Sequence, residues 1–157
     1  MGDTAVAQSI TDVDVLNFAL NLEYLEAEFY YVATTGGARV ALDDRSGTVA
    51  SQITIDELQH VRFLRGALGS AAIAKPAINL EALGIGFRNQ KEFLTLSRAF
   101  EDVGVSAYGG AVTAISSRAI LQAAARIALT EAQHGQDATG EVTEDDRQPD
   151  VAGDQWS

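Results

Sequence analysis

The 157-residue sequence has no cysteine. That excludes a disulfide framework, thiolate metal ligands, iron–sulfur clusters and a cysteine nucleophile, so any metal must be held by oxygen and imidazole nitrogen. There are two prolines, Pro76 and Pro149, and both lie outside the strongly periodic segments. Basic residues are scarce, 11 against 22 acidic ones, for a net charge of −11. Such a surface repels nucleic acid and anionic membranes, and neither is expected as a partner. No apolar run approaches the roughly eighteen residues of a membrane span. The N-terminal stretch MGDTAVAQSITDVDV carries acids and no apolar core, so it reads as neither a secretory signal nor a membrane anchor. A soluble protein with a cytoplasmic location is the default expectation.

What the sequence does have is helical periodicity. The length suits one domain with one core. Four segments repeat apolar residues at about 3.6: residues 12–34, 46–68, 89–113 and 117–137. Thr11 or Asp12 is a natural N-cap for the first, and Gly36-Gly37 stops it. The inward stripes are Leu16, Ala19, Leu20, Glu23, Ala27 and Tyr30, then Ile53, Glu57, His60, Leu64 and Leu68. The third stripe reads Leu94, Ser97, Glu101, Val105, Tyr108 and Val112, and the fourth Ala124, Ile127, Glu131 and His134. Residues 70–88 contain Pro76, Gly84 and Gly86 and read as a long crossover. The fold expected is all-α: a four-helix bundle over residues 1–139 with one long crossover between helices 2 and 3. Residues 140–157 hold six acids against Arg147 and few apolar residues, and are expected to be a disordered tail.

Both histidines stand three residues after a glutamate, in Glu57-Leu58-Gln59-His60 and Glu131-Ala132-Gln133-His134. On a helix that spacing projects carboxylate and imidazole from one face, where they can grip one metal ion. Glutamate fills about one position in sixteen, so chance gives both coincidences in roughly one sequence in 250. The halves also repeat around this motif. Glu23 precedes Tyr30 by seven residues, as Glu101 precedes Tyr108, and each lone glutamate is followed by a Glu-x-x-His helix. Two such hairpins about a pseudo-twofold axis bring four carboxylates and two imidazoles to the bundle centre, enough donors for two ions.

A glutamate on an apolar stripe can instead be a flank residue reaching water along its buried stem. Four of them facing inward form an uncompensated cluster costing several kcal/mol per ion. Arg98 is the only basic residue near the inward stripe, so cations of another kind are required. Tyr30 and Tyr108 lie two turns, about 10 Å, from the lone glutamates. They are expected to donate hydrogen bonds near the site or fill core, rather than to act in redox steps. Gln59 and Gln133 point about 100° away from the histidines and should be solvated or make polar contacts between helices. Glu26 is expected on the surface, with an inward swing as an extra ligand the alternative, and Glu28 in solvent. Ala27, Gly104 and Ala128, near the ligands, are small and suggest space there.

These residues resemble the ferritin-like superfamily, which carries one glutamate on each of two helices and Glu-x-x-His on the other two. Within it, FALNLEYLEAEFY (18–30) and AFEDVGVSAY (99–108) are similar to short ferritin-like domain proteins related to plant desiccation-related protein. The resemblance covers roughly residues 10–138. It implies that Glu23, Glu57 and His60 bind one metal, that Glu101, Glu131 and His134 bind the other, and that Glu57 and Glu131 bridge them. It implies iron or manganese, with ferroxidase, peroxidase, catalase or oxygenase chemistry on a small oxidant, O2 or peroxide. Zinc suits the same donors. The rival expectation is a non-catalytic metal-binding stress or desiccation-related structural protein. Leu25, Phe29, Val61, Phe63 and Val103 read as apolar residues on outer faces and imply a homodimer. No capping fifth helix is visible, so a cage is not expected.

Overall fold

Side-chain caps mark the starts of the first three helices. In the computed structural model, which describes residues 10–35, 40–83 and 86–138, helix α1 spans Asp12–Thr34. The Thr11 side chain accepts from the Asp14 amide, and Asp14 accepts in return from the Thr11 amide, a reciprocal capping box. Helix α2 spans Asp44–Leu68 and is capped by Asp43, which accepts from the Ser46 amide at 2.7 Å. Gly69 ends it at φ +55°, a conformation glycine adopts at little cost. Helix α3 spans Gln90–Ala111 behind the Asn89 cap, and α4 spans Arg118–Ala138. The expected acidic tail, residues 140–157, lies outside the described residues.

Side-chain contacts fix the helix directions. Asn17, near the start of α1, bonds Ala71 and Ile73 beyond the end of α2, while Thr34 meets Thr54, so α1 and α2 are antiparallel. Tyr30 reaches Phe93 and Asp12 caps Ser116 and Ser117, so α1 also opposes α3. It follows that α2 and α3 run parallel, and the segment joining them must travel the length of the bundle. It does so along α1. Tyr24 donates to the Ile73 carbonyl, and Lys75 pairs with Glu28. Gln90 bonds both the amide and the carboxylate of Asp43, tying the two parallel helix starts together. This is a four-helix bundle with one long crossover, and the described residues contain no strand.

Two apolar layers fill the interior. One holds Leu16, Leu20, Leu64, Tyr108 and Ile127; the other holds Phe29, Tyr30, Ile53, Phe93 and Leu96. Burial of each such side chain stabilises by about 1.5–3 kcal/mol. Between the layers, at Glu23, Glu57, Glu101 and Glu131, the core turns polar, and all four carboxylates are 0 % exposed.

Several expectations are corrected. Phe29 does not face outward: it is fully buried, stacked on Phe93 at 5.1 Å and enclosed by Phe87 and Phe100, because the end of the crossover closes over it. Leu25 and Val61 are half-buried against the core, whereas Phe63 and Val103 are exposed as expected. Val112 leaves the third stripe and is exposed, since α3 tightens into a 3-10 turn at Val112–Ala114. Phe93 and Leu96 are buried there, while Leu94 is only half-buried.

Candidate metal centre

Each helix contributes one of the four fully buried glutamates of the polar layer, and the two Glu-x-x-His helices face each other across it. The His60 Nδ1 lies 3.1 Å from Glu23 Oε2, 3.3 Å from Glu57 Oε2 and 3.1 Å from Glu131 Oε1. The His134 Nδ1 lies 2.9 Å from Glu57 Oε1 and 3.4 Å from Glu101 Oε2. The imidazole centroids are 6.3 Å apart. All six residues named from spacing therefore meet at the bundle centre.

The donors form two overlapping sets. Glu23, Glu57, His60 and Glu131 offer ligand atoms all within 4.8 Å of one another, and so do Glu57, Glu101, Glu131 and His134. Glu57 and Glu131 belong to both. Many of these atoms are buried without a hydrogen-bond partner: Glu57 Oε1, Glu101 Oε2, both oxygens of Glu131 and both nitrogens of His134. Buried polar atoms are nearly always paired. Here the close approaches to His134 lack hydrogen-bond alignment, as expected of donors converging on a common centre. Carboxylate and imidazole donors of this kind suit divalent cations, so the residues present fit metal ions.

Tyr30 and Tyr108 are hydrogen-bond donors across the bundle. Tyr30 donates to Glu101 Oε1 at 2.5 Å, and Tyr108 donates to Glu23 Oε1. Helical side chains lean toward the N-terminus, which carries each phenol back from two turns away to the carboxylate level. One oxygen of each lone glutamate is thereby pinned. The other, Glu101 Oε2 or Glu23 Oε2, faces an imidazole.

Protonation follows the crowding. Burial pushes Glu23 up to about 8, against the His60 contact that lowers it. Burial likewise raises Glu131 to about 9, helped by the neighbouring carboxylates and opposed by His60. Glu57 goes the other way: burial would raise it, but His134 and His60 together hold it at about 2. For His60, burial disfavours the charged form, yet Glu131, Glu23 and Glu57 outweigh it and hold it up at about 12. His134, facing Glu101 and Glu57, overcomes its burial in the same way and stands at about 10. Burial and a facing carboxylate raise both tyrosines, which stay protonated.

The family model for the ferritin-like domain matches residues 11–138. The chain belongs to this family. A search of curated proteins gave no match, and neither did a search of solved structures. In this ferritin-like domain the carboxylate and histidine cluster lies wholly inside the matched residues, on the four helices themselves.

Two residues at the centre go beyond the six. Glu26, expected on the surface, is only 3 % exposed. Three residues bring it back to the inward face of α1, and Gly104 on the facing helix leaves it room. The spacing signal was present, since it is the same as in Glu-x-x-His. Asp56, beside Glu57, has Oδ2 3.5 Å from His134 Nε2 and is partly exposed. Its neighbour position in sequence gave no hint, because adjacent residues point about 100° apart. Gln59 and Gln133 are exposed, and Glu28 is partly exposed against Lys75. Arg98 is 53 % exposed and pairs with Asp102, so it does not neutralise the cluster. Gly104 does not leave open space: a Cβ there would meet Glu131 and Glu26 oxygens at 3.3 Å. Of the six residues named from spacing, His60 has the most exposed side chain, at 13 %, beneath a groove of about 510 Å³ lined also by Phe63, Gln122 and Arg126.

Proposed function

We propose that this ferritin-like domain holds two divalent ions, iron or manganese, and uses them in redox chemistry with O2 or peroxide. The observation that carries the reading is the pair of donor sets sharing Glu57 and Glu131. The shared members support a bridging role for these two glutamates, with Glu23 and His60 completing one ion's ligands and Glu101 and His134 the other's. Four carboxylates balance the charge of two divalent ions, which removes the cost of burying them unpaired. When bound, the ions supply the Lewis-acid and redox chemistry for an oxygen substrate.

The chain's own residues do the rest. Tyr30 and Tyr108 orient Glu101 and Glu23 and keep one oxygen of each turned to the centre. The apolar layers on either side exclude water and lower the dielectric around the carboxylates. The groove over His60 supports entry of a small oxidant between α2 and α4.

A second reading is a metal-binding stress or structural protein without turnover. The filled interior favours it: the four glutamates are inaccessible, and the space at Gly104 is occupied. Metal analysis of protein purified without added metal, followed by O2 and peroxide consumption assays with the iron and manganese forms, separates the two. Turnover by either form supports the oxidoreductase. Tight loading with no turnover by both forms establishes the structural reading.

A further inference from the structure

The two halves of the bundle are not equivalent. Glu23 matches Glu101 and Tyr30 matches Tyr108, but three residues after the lone glutamate the first half has Glu26 and the second has Gly104. Glu26 is 3 % exposed, and its Oε2 has no partner. A Cβ at Gly104 would lie 3.3 Å from Glu26 Oε1 and 3.3 Å from Glu131 Oε2. The Glu26 carboxylate therefore crosses to α3, fills the space the glycine leaves, and shares it with Glu131.

Among the described residues no cation pairs with it. The charged groups facing Glu26 are Glu131, Glu23, Glu57 and Glu101, one from each helix. His60 and His134 are already engaged by those four glutamates. A buried carboxylate with an unpartnered oxygen, aimed into a ring of like charges, has the placement of a metal donor. It stands one turn from Glu23, which belongs only to the donor set that contains His60, and beside Glu131, which both sets share. The second half carries no counterpart carboxylate of its own, because the position three residues after Glu101 is Gly104.

We propose that Glu26 is a fifth carboxylate donor of the centre, serving the ion at Glu23 and His60 and making the two ion positions inequivalent. This rests on the two-ion reading above. The two positions then differ in ligand number and charge, so they fill with unequal affinity.

The test is an anaerobic Co(II) titration of the full chain after chelator stripping, read by calorimetry and by the Co(II) absorption spectrum. The wild type should bind two ions in unequal steps. Glu26→Gln, isosteric and neutral, should still bind two, with one step weakened at least about tenfold and the absorption of that ion alone altered. Glu26→Asp keeps the charge but withdraws it by one methylene, and should show the same one-step loss; it carries the test if the Gln variant does not fold. Both steps unchanged in the variants, or both weakened equally as a through-space charge effect predicts, would overturn the proposal while leaving two ions in place. A wild type that binds no Co(II) would overturn the two-ion reading itself, and the Glu26 assignment with it.

Discussion

Loading the centre with metal should expel protons, and the structure says how many. Without ions the cluster holds itself together with protons. Glu23 at about 8 and Glu131 at about 9 are mostly neutral at pH 7, while His60 at about 12 and His134 at about 10 are mostly charged. Glu57, at about 2, is already ionised. A metal ligand must be a carboxylate or a neutral imidazole, so all four of the other groups give up a proton. About four protons should leave these groups for two ions at pH 7, and a fifth from Glu26, which burial raises well above 4.5, where it serves as a donor; the product of the two affinities should rise about 10⁴- to 10⁵-fold per pH unit there. The assay is anaerobic titration of the stripped protein with Mn(II) or Zn(II), which adds no oxidation protons. Calorimetry in buffers of different ionisation enthalpy then counts the release. Fewer than about one proton per ion would refute the reasoning, because the cluster could not then be the proton-bridged network described.

The same groups set the stability of the metal-free protein. Glu23 and Glu131 have folded values above their ordinary 4.5, so the stability they contribute is fully present below pH 4.5 and lost as pH rises through 8 and 9. His60 and His134 act in the same sense, full below 6.5 and lost through 10 to 12, so the apo melting temperature should fall from pH 6 to 9 while that of the loaded protein holds; parallel profiles would contradict this. Tyr30→Phe and Tyr108→Phe each remove one hydrogen bond to a ligand carboxylate and should weaken metal binding about 10–100-fold, the first at the Glu101 ion and the second at the Glu23 ion, by competition with a chelator; wild-type affinities would refute the orienting role. Phe63 and Val103, 49 % and 52 % exposed, should help form a homodimer burying at least about 1,000 Å². Light scattering in 0.15 M salt checks it, and a strict monomer at micromolar concentration would refute it.

The parts legible in the sequence are those governed by one helix at a time. Period 3.6 marks the four helices and Thr11 caps the first, while the Glu-x-x-His spacing needs only a helical turn to place Glu57 with His60. What escaped depends on a neighbour distant in sequence. Glu26 turns inward because Gly104, 78 positions on, has no side chain. Phe29 is buried because Phe87 and Phe100 close over it, and no periodicity in α1 encodes that. The phenols of Tyr30 and Tyr108 could be read as donors near the site. That each bonds the glutamate of the opposite hairpin follows from α1 and α3 being antiparallel, a property of the assembled bundle.

The central claim is that this cluster is a two-metal centre, and anomalous diffraction from crystals grown with iron or manganese tests it most directly. The account predicts two peaks, one at each histidine Nδ1, with Glu57 and Glu131 between them. No anomalous peak near His60 or His134 at full metal supplementation would contradict it.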